Sequence, residues 1–163
     1  MNPTITALDL SDPSHAEAWL TLLEHYARDP MGGGEGLSEY AKINLVGVIR
    51  EVPGFHGALA WLDDKAVGLI DCFAGFSTFA ARPLLNIHDI VVHTDVRGQG
   101  IGQALLKWAE ERAGELGCCK LTLEVLSANT RAMSSYKQAG FAPYVLAPNA
   151  GHALLMQKYI VEL

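Results

Sequence analysis

Residues Arg97-Gly98-Gln99-Gly100-Ile101-Gly102 join an apolar run, Ile87 to Val92, to an amphipathic one, Ile101 to Leu116. A strand, a glycine turn and a helix start in that order commit the chain to an α/β arrangement with an anion site at the turn. The first N–H groups of a helix lack intrahelical acceptors and sit at the positive end of its macrodipole, so a phosphate placed there gains hydrogen bonds and favourable charge together. Glycine lets the backbone approach such a ligand closely.

Two common phosphate-binding patterns do not match these residues. A P-loop needs Lys and then Ser or Thr after its last glycine, whereas Gly102 is followed by Gln103 and Ala104. A dinucleotide fingerprint needs its third glycine one residue later, near the start of a βαβ unit, with an acidic residue closing the next strand. Here the motif lies past mid-chain, and the next apolar strand runs through Glu124 to Leu126 before Ser127. The pattern that does fit is Arg/Gln-x-x-Gly-x-Gly/Ala, met by Arg97, Gly100 and Gly102, which resembles the pyrophosphate loop of the GNAT superfamily of acyl-CoA N-acyltransferases. Downstream, Asn129-Thr-Arg-Ala-Met-Ser-Ser-Tyr136 and the closing Gly140-Phe141 resemble the same superfamily's last long helix. Asn129 and Tyr136 are about two helical turns apart and so share one face.

At 163 residues, half of them hydrophobic, the chain reads as one domain spanning 1–163 with a sizeable core. No stretch approaches the ~18 uninterrupted apolar residues of a membrane span, and Met-Asn-Pro-Thr-Ile-Thr lacks the basic-then-apolar order of a signal peptide. A soluble, cytoplasmic protein without membrane association is expected. Three cysteines, Cys118 and Cys119 adjacent, make neither a disulfide framework nor a zinc spacing; thiols buried in strands and no metal are expected. A net charge of −6 disfavours nucleic acid as a partner and mildly favours cationic ones.

Along the chain, Thr4 to Leu8 reads as a strand, and Asp12-Pro13 caps a helix whose Trp19, Leu22, Leu23 and Tyr26 repeat at helical spacing to about Arg28. Pro30 and Gly32-Gly33-Gly34 stop it. Ser38 caps a second helix with Ala41, Leu45, Val48, Ile49 and Val52 on its apolar side, running until Pro53-Gly54. Gly57 to Leu62 and Ala66 to Phe73 read as a hairpin around Asp63-Asp64-Lys65, and a long connection through Ala81-Arg82-Pro83 leads to the strand before the glycine turn. After the helix from Ile101, closed by Gly117, come a strand Leu121 to Leu126, the Asn129 helix, and a final apolar pair, Phe141 to Leu146 and Ala153 to Tyr159, that reads as a hairpin closing the sheet. The order β-α-α-β-β-β-α-β-α-β-β is similar to that of the GNAT fold, which implies a mixed, mostly antiparallel sheet of about seven strands flanked by four helices. That resemblance also implies that the fourth and fifth strands splay apart to admit the cofactor.

The resemblance further implies acetyl-CoA as cosubstrate, held by Ile90, Val91 and Val92 on the cofactor strand, by Arg97, Gly98, Gln99, Gly100, Ile101 and Gly102 at the turn, and by Asn129 on the pantetheine arm. It implies transfer to the amine of a small molecule, with Tyr136 beside the thioester sulfur donating a proton to the thiolate, and a homodimer as the assembly. An alkylamine has a pKa of about 10, so a base must remove its proton. His88 takes the position where related polyamine acetyltransferases carry the first of an acidic pair; a water chain ending on Asp89 or Glu124 is the competing base. Strand alternation puts His88 and Asp89 on opposite faces. A backbone N–H near Ile90 or Val91 would serve the oxyanion.

The stretch from Arg97 to Phe141 is most similar to the diamine (spermidine/spermine) acetyltransferase branch, though its residues bind cofactor or form core and so do not choose the acceptor. Glu35, Glu39, Asp71 and Glu124 are the candidates for binding a cationic acceptor. An amino acid or an aminoglycoside stands as an alternative acceptor, and a non-catalytic acyl-CoA sensor as an alternative function.

Overall fold

The computed structural model describes residues 2–161. Its elements in chain order are β1 Thr4–Ala7, α1 Pro13–Arg28, α2 Glu39–Ile49, β2 Phe55–Leu62, β3 Lys65–Ser77, β4 Arg82–Val92, α3 Ile101–Glu115, β5 Leu121–Leu123 and α4 Thr130–Gln138. Asp12 starts α1 by accepting from the Ser14 N–H at 2.8 Å with Pro13 in the first turn, and Ser38 Oγ starts α2 by accepting from Ala41 at 3.1 Å. No helix among the described residues is long and apolar enough to cross a membrane.

The sheet runs β1-β2-β3-β4-β5, antiparallel except for the parallel pair β4–β5. A core lies on each face. On one, Ile101, Leu105, Leu106 and Ala109 of α3 pack on Ile70, Cys72, Leu85 and Ile87; on the other, Trp19, Leu22 and Leu23 of α1 pack on Leu59, Leu69 and Val91. Each large aliphatic side chain so buried is worth about 1.5–3 kcal/mol, which is why the two amphipathic helices dock rather than float. The second helix does less: α2 buries no residue fully, and Val48, expected on its apolar side, is 56% exposed.

The fold class is the expected one, with five strands among the described residues where about seven were expected. Phe141 to Leu146 and Ala153 to Tyr159 form no strand, and Tyr144, Leu146, Leu154, Leu155, Met156 and Tyr159 are exposed. An alternating apolar pattern makes a segment compatible with a sheet, but a strand exists only where a neighbour takes up its N–H and C=O groups. Likewise β5 stops at Leu123, and Leu126 is 60% exposed. The fourth strand, in turn, begins at Arg82, so the expected connection through Arg82 and Pro83 is part of its ladder with β3. Of the three thiols only Cys72 is buried in a strand; Cys118 and Cys119 follow α3, and Cys119 is exposed.

Candidate active site

The parallel pair β4–β5 holds for only three partners, Leu85↔Leu121, Asn86↔Thr122 and Ile87↔Leu123, and then the strands part. Immediately beyond, the register of β4 on β3 shifts: Asp71 faces Asp89 while Cys72 faces Ile87, so His88 is an extra residue in β4. Such a bulge puts two consecutive residues opposite one. Ile87 and Ile90 both pack on the α3 side, whereas His88 meets the edge of Phe73 at 5.4 Å and the Asp89 carboxylate bears on Tyr26 of α1. The expected alternation therefore fails at this point. His88 and Asp89 share the α1 side of the sheet.

The bulge also reverses the backbone. Residues an even number apart in a regular strand send their N–H groups to the same side. Yet the Leu85 N–H donates to Lys120 O beside β5, and the His93 N–H donates to Val67 O beside β3. Past the bulge, then, Ile90 and Val92 turn their N–H and C=O groups toward the split. There Val92 O accepts from Arg97 Nε at 3.0 Å.

The glycine turn follows. Gly98 and Gly100 have φ of 83° and 82°, a left-handed backbone that side chains oppose, and Gly100 caps α3 with no side-chain bond. None of the N–H groups from Gly98 to Gln103 donates to another group among the described residues. Six donors at a helix start thus have no acceptor among the described residues. Arg97, besides its bond to Val92, pairs with Asp29 at 2.8 Å, and that contact is the first cause holding the Asp29 carboxyl below its ordinary value.

On the other side of the split stands α4. Asn129 caps it, its Oδ1 accepting from the Ala132 N–H at 3.2 Å, so it precedes the helix rather than riding on it. Gln103 Nε2 donates to Ser135 O and Oγ at 2.8 and 2.9 Å, which locks α4 against α3 and fixes Tyr136 relative to the turn. Burial, with the nearby Tyr26 adding, pushes the Tyr136 phenol up to about 12. Its ring lies edge-on to Phe141, 6.1 Å between centroids.

A cavity of about 890 Å³ runs through this arrangement, bounded by Ile90, Val91 and Val92, by Arg97 to Gln103 except Gln99, and by Asn129, Arg131 and Tyr136 of the α4 segment. All the expected cofactor residues but Gln99 line it. It is closed on the α1 side by Tyr26, which carried only a core signal in the sequence, and by Asp29 and Met31, which begin the glycine-rich loop between the first two helices. Asp89 lies beside Tyr26, its carboxyl raised by burial, with His88 opposing. His88 itself is exposed. The candidate acceptor residues are not brought together: Glu35, Glu39 and Glu124 are exposed and away from the cavity wall, Glu39 paired with Lys42 at 2.9 Å, and Asp71 is buried beneath Trp19. Among the described residues no cluster of three or more His, Cys, Asp or Glu is arranged to hold a metal ion.

The architecture is shared with solved proteins. An aminoglycoside acetyltransferase from an uncultured soil metagenomic sample, in complex with sisomicin, superposes with a TM-score of 0.75 over 98% of this chain and 97% of that one, at 19% identity. In sequence, a thialysine N-epsilon-acetyltransferase of Bos taurus is 41% identical over 68 residues, 42% of this chain and 39% of that protein. A streptothricin acetyltransferase of Streptomyces lavendulae is 41% identical over 70 residues, 43% of this chain and 37% of that protein. The chain thus spans about two-fifths of the length of the relatives it matches. Residues 15–141 match the acetyltransferase (GNAT) family as a whole, and with a glycine turn of free amides beside split strands the conclusion is direct: the chain belongs to the GNAT acetyltransferase family.

Proposed function

We propose that this chain is a single-domain N-acetyltransferase that moves an acetyl group from acetyl-CoA to the amine of a small molecule. The observation that carries the reading is the run of uncommitted N–H groups from Gly98 to Gln103 at one end of a cavity that leads along the open edge of β4 to Tyr136. Those donors and the α3 N-terminus fit a diphosphate. The open C=O of Ile90 and N–H of Val92 fit the amides of an extended arm, which would add like a strand, with Asn129 beside it.

When bound, acetyl-CoA supplies the activated acyl group as a thioester. The protein's own groups do the rest. Asp89 takes the proton of the incoming ammonium, directly or through water. The Ile90 N–H donates to the acyl oxygen as negative charge develops there. Tyr136, a neutral phenol throughout the neutral range, gives its proton to the sulfur as the carbon–sulfur bond breaks and is reprotonated by the second proton that the nitrogen loses as the amide forms. Asp89 is preferred to His88 because it adjoins Tyr26 on the cavity wall, whereas His88 lies out on the edge of Phe73.

The acceptor class is supported by the names of the relatives, which act on thialysine and streptothricin. The diamine likeness is confined to the half of the chain that would hold the cofactor and does not choose among amines. The test is acetyl-CoA-dependent thiol release over a panel containing a polyamine, thialysine, a streptothricin and an aminoglycoside. At least one is expected to release thiol. Tight acetyl-CoA binding with no release from any amine would leave a sensor, not an enzyme.

A further inference from the structure

Asp71 sits in the middle of β3, 2% exposed, the one buried acid among the described residues. Both of its oxygens accept from Trp19 Nε1, at 2.9 and 3.0 Å, so the indole fixes the carboxyl against α1. Its partner across the sheet is Asp89. Cross-strand partners carry their Cβ atoms about 4.5–5.5 Å apart on one face, and the bulge at His88 leaves Asp89 on the α1 face that Asp71 also occupies. No Lys or Arg bears on either carboxyl. The titratable groups around them are Tyr26 from α1, with Asp29 behind it, His88 along β4 and Cys72 along β3. The β2 strand offers only Gly57, since its His56 turns to Arg112 of α3.

Two carboxylates so placed cannot both be charged without a large cost, because Asp71 is sealed from water and no Lys or Arg offsets the repulsion, His88 alone bearing on Asp89. We propose that Asp71 and Asp89 act as one acid–base pair holding a single proton between them at neutral pH, with Trp19 anchoring Asp71 as the positioning residue for the base. Its chemical use rests on the acetyltransferase reading; the pair itself does not. Burial first, then the charge of Asp89, lifts the Asp71 carboxyl to about 8 against the pull of the Trp19 N–H. Asp71 is sealed in the core whereas Asp89 is only partly buried, so Asp89 is the member that carries the charge. In the reaction an ammonium N–H bond breaks and its proton joins an Asp89 oxygen, so one positive and one negative charge vanish together. The site is matched to an acceptor whose reacting end is a single ammonium.

The pair is tested by following the protonated-carboxyl stretch in infrared spectra of the whole protein against pH, without any acceptor. Wild type should show a protonated carboxyl at neutral pH that is lost around 8. Asp71→Asn should lack that signal, and Asp89→Asn should keep it with a midpoint lower by about one unit or more, since the neighbouring charge is gone. Absence of the signal in wild type, or an unmoved midpoint in Asp89→Asn, overturns the pair. Should Asp71→Asn fail to fold, Asp89→Asn decides alone. With an accepted amine, KM in wild type should fall as the pair takes its second charge above about 8, and stay level in Asp71→Asn; a KM that falls equally in both overturns the positioning role. A protein that shows the coupled titration yet acetylates nothing refutes the enzyme and leaves the pair standing.

Discussion

The Arg97 guanidinium lies 2.8 Å from the Asp29 carboxylate, joining the glycine turn to the end of α1 across 68 residues of chain. Asp29 also accepts from the Met31 N–H at 2.9 Å, which starts the loop that carries the other glycines. The cation that a diphosphate would recruit is thus already shared with an internal anion. Asp29→Asn keeps an oxygen for the Met31 cap and removes the competing charge. Because a part-exposed pair is worth no more than about 1 kcal/mol, acetyl-CoA affinity should rise about two- to fivefold, read as Kd by calorimetry. Arg97→Ala should weaken it about tenfold or more.

Gly100 has a φ of 82°, and a Cβ built there meets nothing within 4 Å. A side chain at this position costs about 1–2 kcal/mol of backbone strain yet clashes with no protein atom, so Gly100→Glu should fold. Its carboxylate would stand where the diphosphate belongs, and acetyl-CoA affinity should drop well over tenfold. Gly114→Glu, on the exposed side of α3, is the control and should bind as wild type does.

How much of this was legible in the sequence depends on the range of each interaction. The α1 and α2 starts were readable because Asp12 and Ser38 act within three residues, and the β2–β3 hairpin because Asp63-Asp64 lies between its strands. The α3 start and α4 were readable because the glycine turn and the Asn129 segment carry compact motifs. The bulge at His88 was not, since it exists only in the register of β4 on β3; nor was the Trp19–Asp71 contact, which spans 52 residues. The final hairpin failed for a related reason. Alternation from Ala153 to Tyr159 records compatibility with a sheet, not the presence of a partner strand.

Tyr136 adjoins the cavity with its phenol pushed up to about 12, so it remains a proton donor at every working pH. Tyr136→Phe retains the ring and its edge contact with Phe141. Turnover should fall about a hundredfold while the Kd for acetyl-CoA stays within about twofold, the pattern of a group that acts on the leaving sulfur alone. Unchanged turnover would mean that some other group protonates the thiolate.

Asp89 must be ionised to take a proton, and burial raises its carboxyl above the ordinary 3.8. The acid limb of kcat/KM should therefore lie above the usual carboxylate range. Asp89→Asn should abolish that limb and cost a factor of about 10²–10⁴. His88→Ala, by contrast, should give a profile parallel to wild type; loss of the limb there would transfer the role of base to His88.

Stability carries the signature of the buried acid as well. An aspartate held at about 8 in the folded protein and near 3.8 when unfolded binds its proton more tightly in the native state. Across that window the native state holds more protons than the unfolded chain, so unfolding free energy falls as pH rises from about 4 to about 8 and levels off beyond. Asp71→Asn keeps an acceptor for Trp19 Nε1 and an N–H in place of the acid proton, which makes it a close mimic of the protonated side chain. At about pH 4 and below its Tm should lie near that of wild type. Toward about pH 8 the wild-type Tm should decline, and the variant should decline less and overtake it. Parallel melting curves across the range would show that Asp71 enters the folded state already charged, with Trp19 outweighing the cost of burial.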